Sequence, residues 1–167
     1  MAVLEMDSYL VLKMIHVLSS MVLVGTGAGI AFFMLMASRS GNQQGILVTT
    51  KIVVQADWIF TAPAVVIQFV SGLLLMQRLG YGYSSSWFIA VMSLFVLIGL
   101  CWLPVVWIQY KLRNLAEKMV MPESAHIPLL NTQFRSWMRL WLMLGIPAFS
   151  SIIVILYLMI FKPLSII

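Results

Sequence analysis

Four long runs of apolar residues, separated by shorter polar segments, dominate the pattern along the chain. They cover residues 9–36, 57–76, 87–109 and 137–161. Each run supplies the roughly 20 residues that a helix needs to cross a hydrocarbon core about 30 Å thick. The runs lack barrel-type alternation, and only helices and closed barrels satisfy every backbone polar group in lipid. The pattern therefore predicts an all-α, polytopic membrane protein, a four-transmembrane-helix bundle that forms one domain over residues 1–167.

The polar segments predict how the bundle is oriented. They cover residues 39–45, 78–86 and 110–136. Positive charge accumulates on the cytoplasmic side of membrane proteins. Lys13, Arg78 and Lys162 belong to the side that carries both termini. The opposite side holds the seven other basic residues, which are Arg39, Lys51, Lys111, Arg113, Lys118, Arg135 and Arg139. We therefore expect an N-out, C-out arrangement in a bacterial inner membrane.

The composition agrees with a membrane location. Of 167 residues, 62% are hydrophobic and 9% are charged, whereas about 25% of a soluble domain is charged. The net charge of +5 is spread over the segments that flank the spans, so it does not indicate a nucleic-acid partner. Glu5 and Asp7 stand where a signal peptide would carry basic residues, which favours a retained first helix. Cys101 is the only cysteine and excludes an internal disulfide.

Small residues and prolines inside the spans suggest where helices approach or bend. Gly25, Gly27 and Gly29 give the first helix a thin face that another backbone can approach closely. A proline inside a helix removes a backbone donor and is expected to kink it. Each of the other three spans contains one, namely Pro63, Pro104 and Pro147.

His16 is the residue that points most directly to chemistry. Ionisable residues inside a membrane are rare and tend to face the bundle interior, where they mark ligand, ion or proton sites. An imidazole there can ligate haem iron or another metal, relay a proton, or hydrogen-bond a neighbouring helix. A bis-histidine di-haem protein needs four membrane histidines, whereas this chain offers His16 alone and places His126 in a polar segment. The haem hypothesis is therefore a haem b site with His16 as its single histidine ligand. A methionine would be the second ligand, or the site would be shared across a homodimer.

Asp57 and Gln68 are the other polar candidates within the spans. Asp57 opens the second span at its cytoplasmic boundary. Arg113, Arg135 and Arg139 are predicted at the same level, so Asp57 can form an ion pair there or can serve as a proton or cation site. Gln68 can hydrogen-bond a neighbouring helix or line a pore. Together with His16, a polar track for a small transporter would consist of Lys13, Asp57, Gln68, Arg113 and Arg139.

The sequence gives little support for a copper site or for the common catalytic, phosphate-binding and zinc-binding motifs. Thirteen methionines invite a copper hypothesis, but the two pairs, Met34 with Met36 and Met119 with Met121, are two residues apart and point to different helix faces. We find no nucleophile–base pair, phosphate loop or zinc-type cluster in the sequence. The residues alone leave open whether the protein is an enzyme.

Several stretches in order along the chain resemble a family of uncharacterised bacterial four-helix inner-membrane proteins known only as a domain of unknown function. They are Lys13-x-x-His16 with Gly25-x-Gly27, residues 56–63, 101–107 and 144–149, and residues 158–163. The resemblance implies the four-helix architecture and no activity. Lys13-x-x-His16 is also distantly similar to HemJ-type and CopD-type membrane domains, and the HemJ type associates a first-helix histidine with haem.

The leading functional hypothesis is a haem-binding or redox-linked membrane protein with His16 as axial ligand. The alternatives are a non-catalytic accessory subunit of a larger membrane complex and a small metal or proton transporter. Lipid is the expected environment, with a homodimer or larger complex as the expected assembly.

Overall fold

The computed structural model describes residues 2–80, 82–121 and 128–162, with side chains from residue 7. All elements in these ranges are helical. A π-helical segment, Asp57–Thr61, joins the second helix to the third without a break, so four continuous helical stretches are long and apolar enough to cross a membrane. This confirms the predicted four-helix membrane fold. The helices are α1 (Ala2–Ser40), α2 (Gln43–Ala56), α3 (Ala62–Leu79), α4 (Ser86–Val120) and α5 (Pro128–Phe161).

The helices continue well past the predicted spans. α4 has 35 residues and α5 has 34, which at 1.5 Å per residue makes each about 50 Å long against a hydrocarbon core of about 30 Å. Much of the polar segment at 110–136 is therefore helical. Its lysines, glutamates and glutamines are good helix formers, and Arg113 pairs with Glu117 one turn later at 3.3 Å. The polar composition marked where the membrane ends and not where the helices end.

Capping residues set the ends of the helices. The Asn42 side chain accepts a hydrogen bond from the Gly45 backbone N–H at the start of α2, and Ser85 does the same for Phe88 at the start of α4. Such side chains satisfy backbone donors that lack an intrahelical partner. At the end of α3, Gly80 adopts φ of +68°, a left-handed conformation that favours glycine.

The helices pack as two pairs that α2 joins. α1 lies against α3 and α4 lies against α5, while α2 contacts both α1 and α4. We call the half of the bundle that contains α2 the α2 end, and the half that contains both termini the terminal end. The main hydrophobic core lies at the α2 end. Its buried residues are Ile30, Met34, Ile46, Val53, Val105, Ile108, Leu112, Ala116, Met119, Phe134, Met138 and Trp141.

A smaller core holds the terminal end together. It consists of Met76, Trp87, Val91 and Leu158. The indole N–H of Trp87 donates to the Leu158 carbonyl at 2.8 Å and fixes α4 against α5. Trp87 lies in the first turn of α4 and is nevertheless buried inside the bundle.

No other helix of the chain packs closely against Gly25 and Gly27 of α1, although the sequence predicted such an approach. A Cβ added at Gly25 or Gly27 would meet nothing within 4 Å. The glycine that a neighbouring helix does approach is Gly72 of α3, where an added Cβ would lie 3.3 Å from Cε1 of His16. The close contact between α1 and α3 therefore forms where the His16 side chain packs against Gly72.

Candidate functional site: two polar clusters on the α1–α3 face

His16 is held between two polar side chains of α3. Its Nδ1 lies 2.8 Å from the Ser71 hydroxyl, and its Nε2 lies 3.0 Å from the Gln68 amide nitrogen. Ser19, one turn along α1, donates to the Gln68 amide oxygen at 2.5 Å. We call His16, Ser19, Gln68 and Ser71 the histidine cluster. It joins α1 to α3 through side-chain hydrogen bonds in the half of the bundle toward the terminal end.

The directions of these hydrogen bonds assign the protons. Ser71 uses its only hydrogen toward the Ile67 carbonyl, at 2.5 Å, so its oxygen accepts from His16. The Gln68 oxygen accepts from Ser19, so its amide N–H faces His16. The tautomer that matches these contacts is the neutral imidazole with its hydrogen on Nδ1 and with Nε2 as an acceptor. Every polar atom of the ring has a partner inside the chain.

This arrangement does not fit a haem ligand. An axial histidine binds iron through one ring nitrogen, and both nitrogens of His16 are already hydrogen-bonded to α3. Coordination through Nε2 would need Gln68 to leave. On the Cε1 side, the ring packs against Gly72, where an added Cβ would lie 3.3 Å from Cε1. The geometry is that of a side chain that links α1 to α3 by hydrogen bonds, and we call this link the clasp.

Asp57 lies at the centre of a second polar cluster, closer to the α2 end. It is 5% exposed, and its Oδ2 has no hydrogen-bond partner among the described residues. Thr61, Trp102 and Gln109 are the polar side chains that face its carboxyl group. Buried polar atoms without a partner are rare in native proteins and point to strain, catalysis or an unseen water or ion.

The neighbours of Asp57 repeat the same feature. Buried atoms without a partner in the described part of the chain include Thr61 Oγ1, Gln109 Oε1 and Trp102 Nε1. We call Asp57, Thr61, Trp102 and Gln109 the aspartate cluster. Three of its atoms without a partner are oxygens and one is an indole N–H donor, and Thr61, Trp102 and Gln109 lie close enough to act on the Asp57 carboxyl group. The cluster therefore gathers hydrogen-bonding groups that form no hydrogen bond of normal geometry with each other.

The π-helical segment explains how Asp57 comes to face the interior. Pro63 has no backbone N–H, so the Ile59 carbonyl four residues earlier lacks its α-helical donor. The backbone instead widens, and Ala62 N–H donates to the Asp57 carbonyl five residues before it. Trp58 Nε1 donates to the Tyr110 hydroxyl at 2.8 Å and holds this segment against α4. Single π-helical turns inside α-helices occur frequently at functional sites.

The donor set of the aspartate cluster selects among ligands. One carboxylate, one hydroxyl and one amide oxygen are hard ligands of the kind that alkali and alkaline-earth cations prefer. Among the described residues, no group of three or more His, Cys, Asp or Glu residues is placed to hold a metal ion. The site therefore fits a proton or a hard, weakly coordinated cation better than a transition metal.

The cluster members that belong to the continuous α2–α3 stretch lie on one of its faces. Asp57, Thr61, Ala64, Gln68 and Ser71 are spaced by four, three, four and three residues, the repeat of one side of a helix. Ala64 between the clusters is 4% exposed, and α1 covers this face. From Asp57 to Ser71 the stripe runs about 21 Å, or about two thirds of a hydrocarbon core. We call it the polar stripe.

The structure brings together only part of the predicted polar track. Gln68 and His16 meet directly, and Asp57 lies on the same stripe. Lys13 is exposed on α1, and Arg139 is exposed on α5. Arg113 pairs with Glu117 on its own helix.

The arginine partner expected for Asp57 is not found. Both ion pairs among the described residues use Glu117, with Lys51 at 3.5 Å and Arg113 at 3.3 Å. The carboxyl of Asp57 points into the bundle, whereas the arginines point to its surface. The sequence suggested that these charges share a level, and the helix faces separate them.

Several cluster members were not singled out from the sequence. Ser19, Thr61 and Trp102 belong to this group, and so does Gln109, which the sequence placed at the end of a span. Thr61 was detectable in principle, because it follows Asp57 by four residues. Trp102 was not, because tryptophan is common in membrane proteins.

His126 and the two methionine pairs are the other residues that the sequence analysis considered as ligands. His126 lies outside the described residues. Met34 and Met119 are buried in the main core, whereas Met36 and Met121 are 40% and 54% exposed. Each methionine pair therefore points to two different faces, as the spacing predicted.

Comparison with known families gives one match. Residues 10–163 match the family described as "Predicted integral membrane protein (DUF2269)". The chain belongs to this family. The description of DUF2269 agrees with the four apolar helices and names no activity, ligand or partner. No curated protein and no solved structure matches the chain significantly.

Proposed function

We propose that this DUF2269 protein is a small membrane carrier of a proton or an alkali cation, with Asp57 as the binding group. The observation that carries the proposal is the unpaired Oδ2 of Asp57, on a side chain that is 5% exposed. An ionisable residue at such a position is by default a candidate ion or proton site.

Electrostatics explain why a cation belongs there. A buried carboxylate without a basic partner is strongly unfavourable, so it must take up a proton or bind a positive ion. The described ion pairs leave no arginine or lysine on Asp57. The unpaired oxygens of Thr61 and Gln109 supply further ligands. The indole N–H of Trp102 can anchor water that completes the shell.

The polar stripe supplies a route toward the terminal end. Thr61 lies one turn from Asp57, and Gln68 and Ser71 lie beyond the small side chain of Ala64. The hydroxyl and amide groups of the histidine cluster can both donate and accept hydrogen bonds. His16, fixed by Ser71 and Gln68, acts here as a positioning residue that closes the stripe at its outer part.

The orientation and location belong to the proposal as well. Seven of the ten basic residues lie on the side of the α2 end, and three lie on the side of the termini. This bias supports placing the α2 end in the cytoplasm and both termini outside, in a bacterial inner membrane. Asp57 then sits nearer the cytoplasmic side and His16 nearer the outer side. A homodimer or larger complex stays a prediction, supported by the open glycine face of α1.

Cation binding should appear as a change in thermal stability. A ligand that binds the folded protein stabilises it by about 2.7 kcal/mol at one hundred times its dissociation constant. We expect the unfolding temperature of the detergent-purified protein to depend on sodium concentration at constant ionic strength, or on pH, and Asp57→Asn to lose that dependence. Choline chloride replaces sodium in the matched series, and Glu117→Gln is the control for removal of a carboxylate.

The arms of this experiment separate the two cations. A response to sodium at fixed pH identifies an alkali-cation site, and a response to pH alone identifies a proton site. If Asp57→Asn shows the same sodium and pH dependence as the unchanged protein, the proposal is wrong.

A further inference from the structure

A groove between α4 and α5 at the α2 end is separate from both polar clusters. It encloses about 330 Å³. It forms because residues 111, 114, 115 and 118 repeat on one face of α4 while residues 133 and 137 repeat on the facing side of α5. Its lining consists of Lys111, Asn114, Leu115, Lys118, Gln133 and Trp137.

The groove is basic and rich in hydrogen-bond donors. Lys111 and Lys118 bring two ammonium groups, Asn114 and Gln133 bring two side-chain amides, and no acidic residue belongs to its lining. Glu117, next to Lys118 in sequence, is engaged by Lys51 and Arg113 instead. Two ammonium groups flanked by amides form a site for a phosphate group.

The exposed face of α4 changes from basic to aromatic to aliphatic along its length, and this order matches the headgroup, the interface and the acyl chains of a phospholipid. Lys111 lies over the Trp107 ring at 5.1 Å, and Trp107 meets Trp137 of α5 edge to face at 5.3 Å. Beyond this tryptophan pair, Leu103 and Leu100 are each 64% exposed. Tryptophans mark the level of the headgroups, and exposed leucines mark the hydrocarbon.

The dimensions agree with the same ligand. Lys111 and Leu100 are separated by 11 residues, which is about 16 Å along the helix and close to half of a hydrocarbon core. We infer that this groove binds the headgroup of an anionic phospholipid, whose acyl chains follow Trp107, Leu103 and Leu100. Basic pockets between membrane helices bind such headgroups elsewhere. The inference does not depend on the proposed cation site.

Native mass spectrometry of the detergent-purified protein tests the inference. Phosphatidylglycerol and phosphatidylcholine are titrated separately onto the unchanged protein and two double variants. One variant carries Lys111→Gln with Lys118→Gln in the groove. The matched control carries Arg39→Gln with Arg135→Gln, which removes the same charge from exposed positions at the same end. All four positions are exposed, so neither variant disturbs the core, and circular dichroism checks this directly.

We expect phosphatidylglycerol to bind more tightly than phosphatidylcholine, with a loss on the order of tenfold in the groove variant. The control variant should change affinity much less, and inorganic phosphate should not displace the lipid. Equal losses in both variants would show unspecific charge attraction. Displacement by inorganic phosphate would show a free-anion site, and equal binding of both lipids would show no headgroup recognition. Each of these three results overturns the inference.

Discussion

Asp57→Leu is expected to raise the unfolding temperature of the protein in detergent while removing its response to cations. The carboxyl of Asp57 is buried with one oxygen unpaired, and a buried polar atom without a partner costs about 1–3 kcal/mol. Leucine removes that cost at a similar volume. Replacing buried charged groups with apolar ones is often neutral or stabilising. Differential scanning fluorimetry in one detergent, at one pH and in choline chloride without sodium measures the change.

The control for this prediction is Glu117→Gln. Glu117 forms surface ion pairs with Lys51 and Arg113, and such pairs contribute about 0–1 kcal/mol. Its loss should leave the unfolding temperature nearly unchanged or slightly lower. A clear loss of stability in Asp57→Leu would mean that the carboxyl group holds the bundle together. The cation-site interpretation of the aspartate cluster would then lose its physical basis.

His16→Ala is expected to have the opposite effect and destabilise the protein. The substitution removes hydrogen bonds to Ser71 and Gln68 and leaves both groups without their partner. Interhelical hydrogen bonds in membranes contribute about 0.6 kcal/mol on average, and the emptied space over Gly72 adds the cost of a cavity. We expect a total loss of about 1–3 kcal/mol. Thermal unfolding in detergent measures it.

Lys13→Ala is the matched control, since Lys13 lies one turn from His16 on the same helix but is exposed. It should leave the unfolding temperature nearly unchanged. If His16→Ala is no less stable than Lys13→Ala, the histidine cluster does not join α1 to α3. An absorption band of the purified protein that disappears in His16→Ala would support the haem hypothesis against the clasp described here.

The number of helices and their membrane character could be predicted from the sequence, because lipid tolerates only structures that satisfy the backbone internally. The extent of the helices could not. Residues such as Arg113 and Glu117 look like a loop in a hydropathy pattern, yet they continue α4 as a water-facing helix. Hydropathy reports where the chain leaves the hydrocarbon, whereas helix ends depend on capping residues such as Asn42 and Ser85.

The candidate site was only partly predictable for a similar reason. The importance of His16, Asp57 and Gln68 follows from the cost of polar groups in a membrane. Their partners do not, because Trp102 and Gln109 come from α4, which reaches Asp57 only through tertiary packing. The predicted arginine partner failed because it was chosen by depth alone. The helix face of each residue was also needed, and the π-helical turn before Pro63 changes that face for Asp57.

Uptake of cations by vesicles tests the central claim most directly. The protein is reconstituted into liposomes, and alkali-cation and proton uptake are followed under an imposed membrane potential, with Asp57→Asn and Glu117→Gln in parallel. Our account predicts uptake of at least one of these cations by the unchanged protein and by Glu117→Gln, and uptake at the level of empty liposomes for Asp57→Asn. Uptake by Asp57→Asn equal to that of the unchanged protein, or no uptake above empty liposomes in any sample, would contradict it.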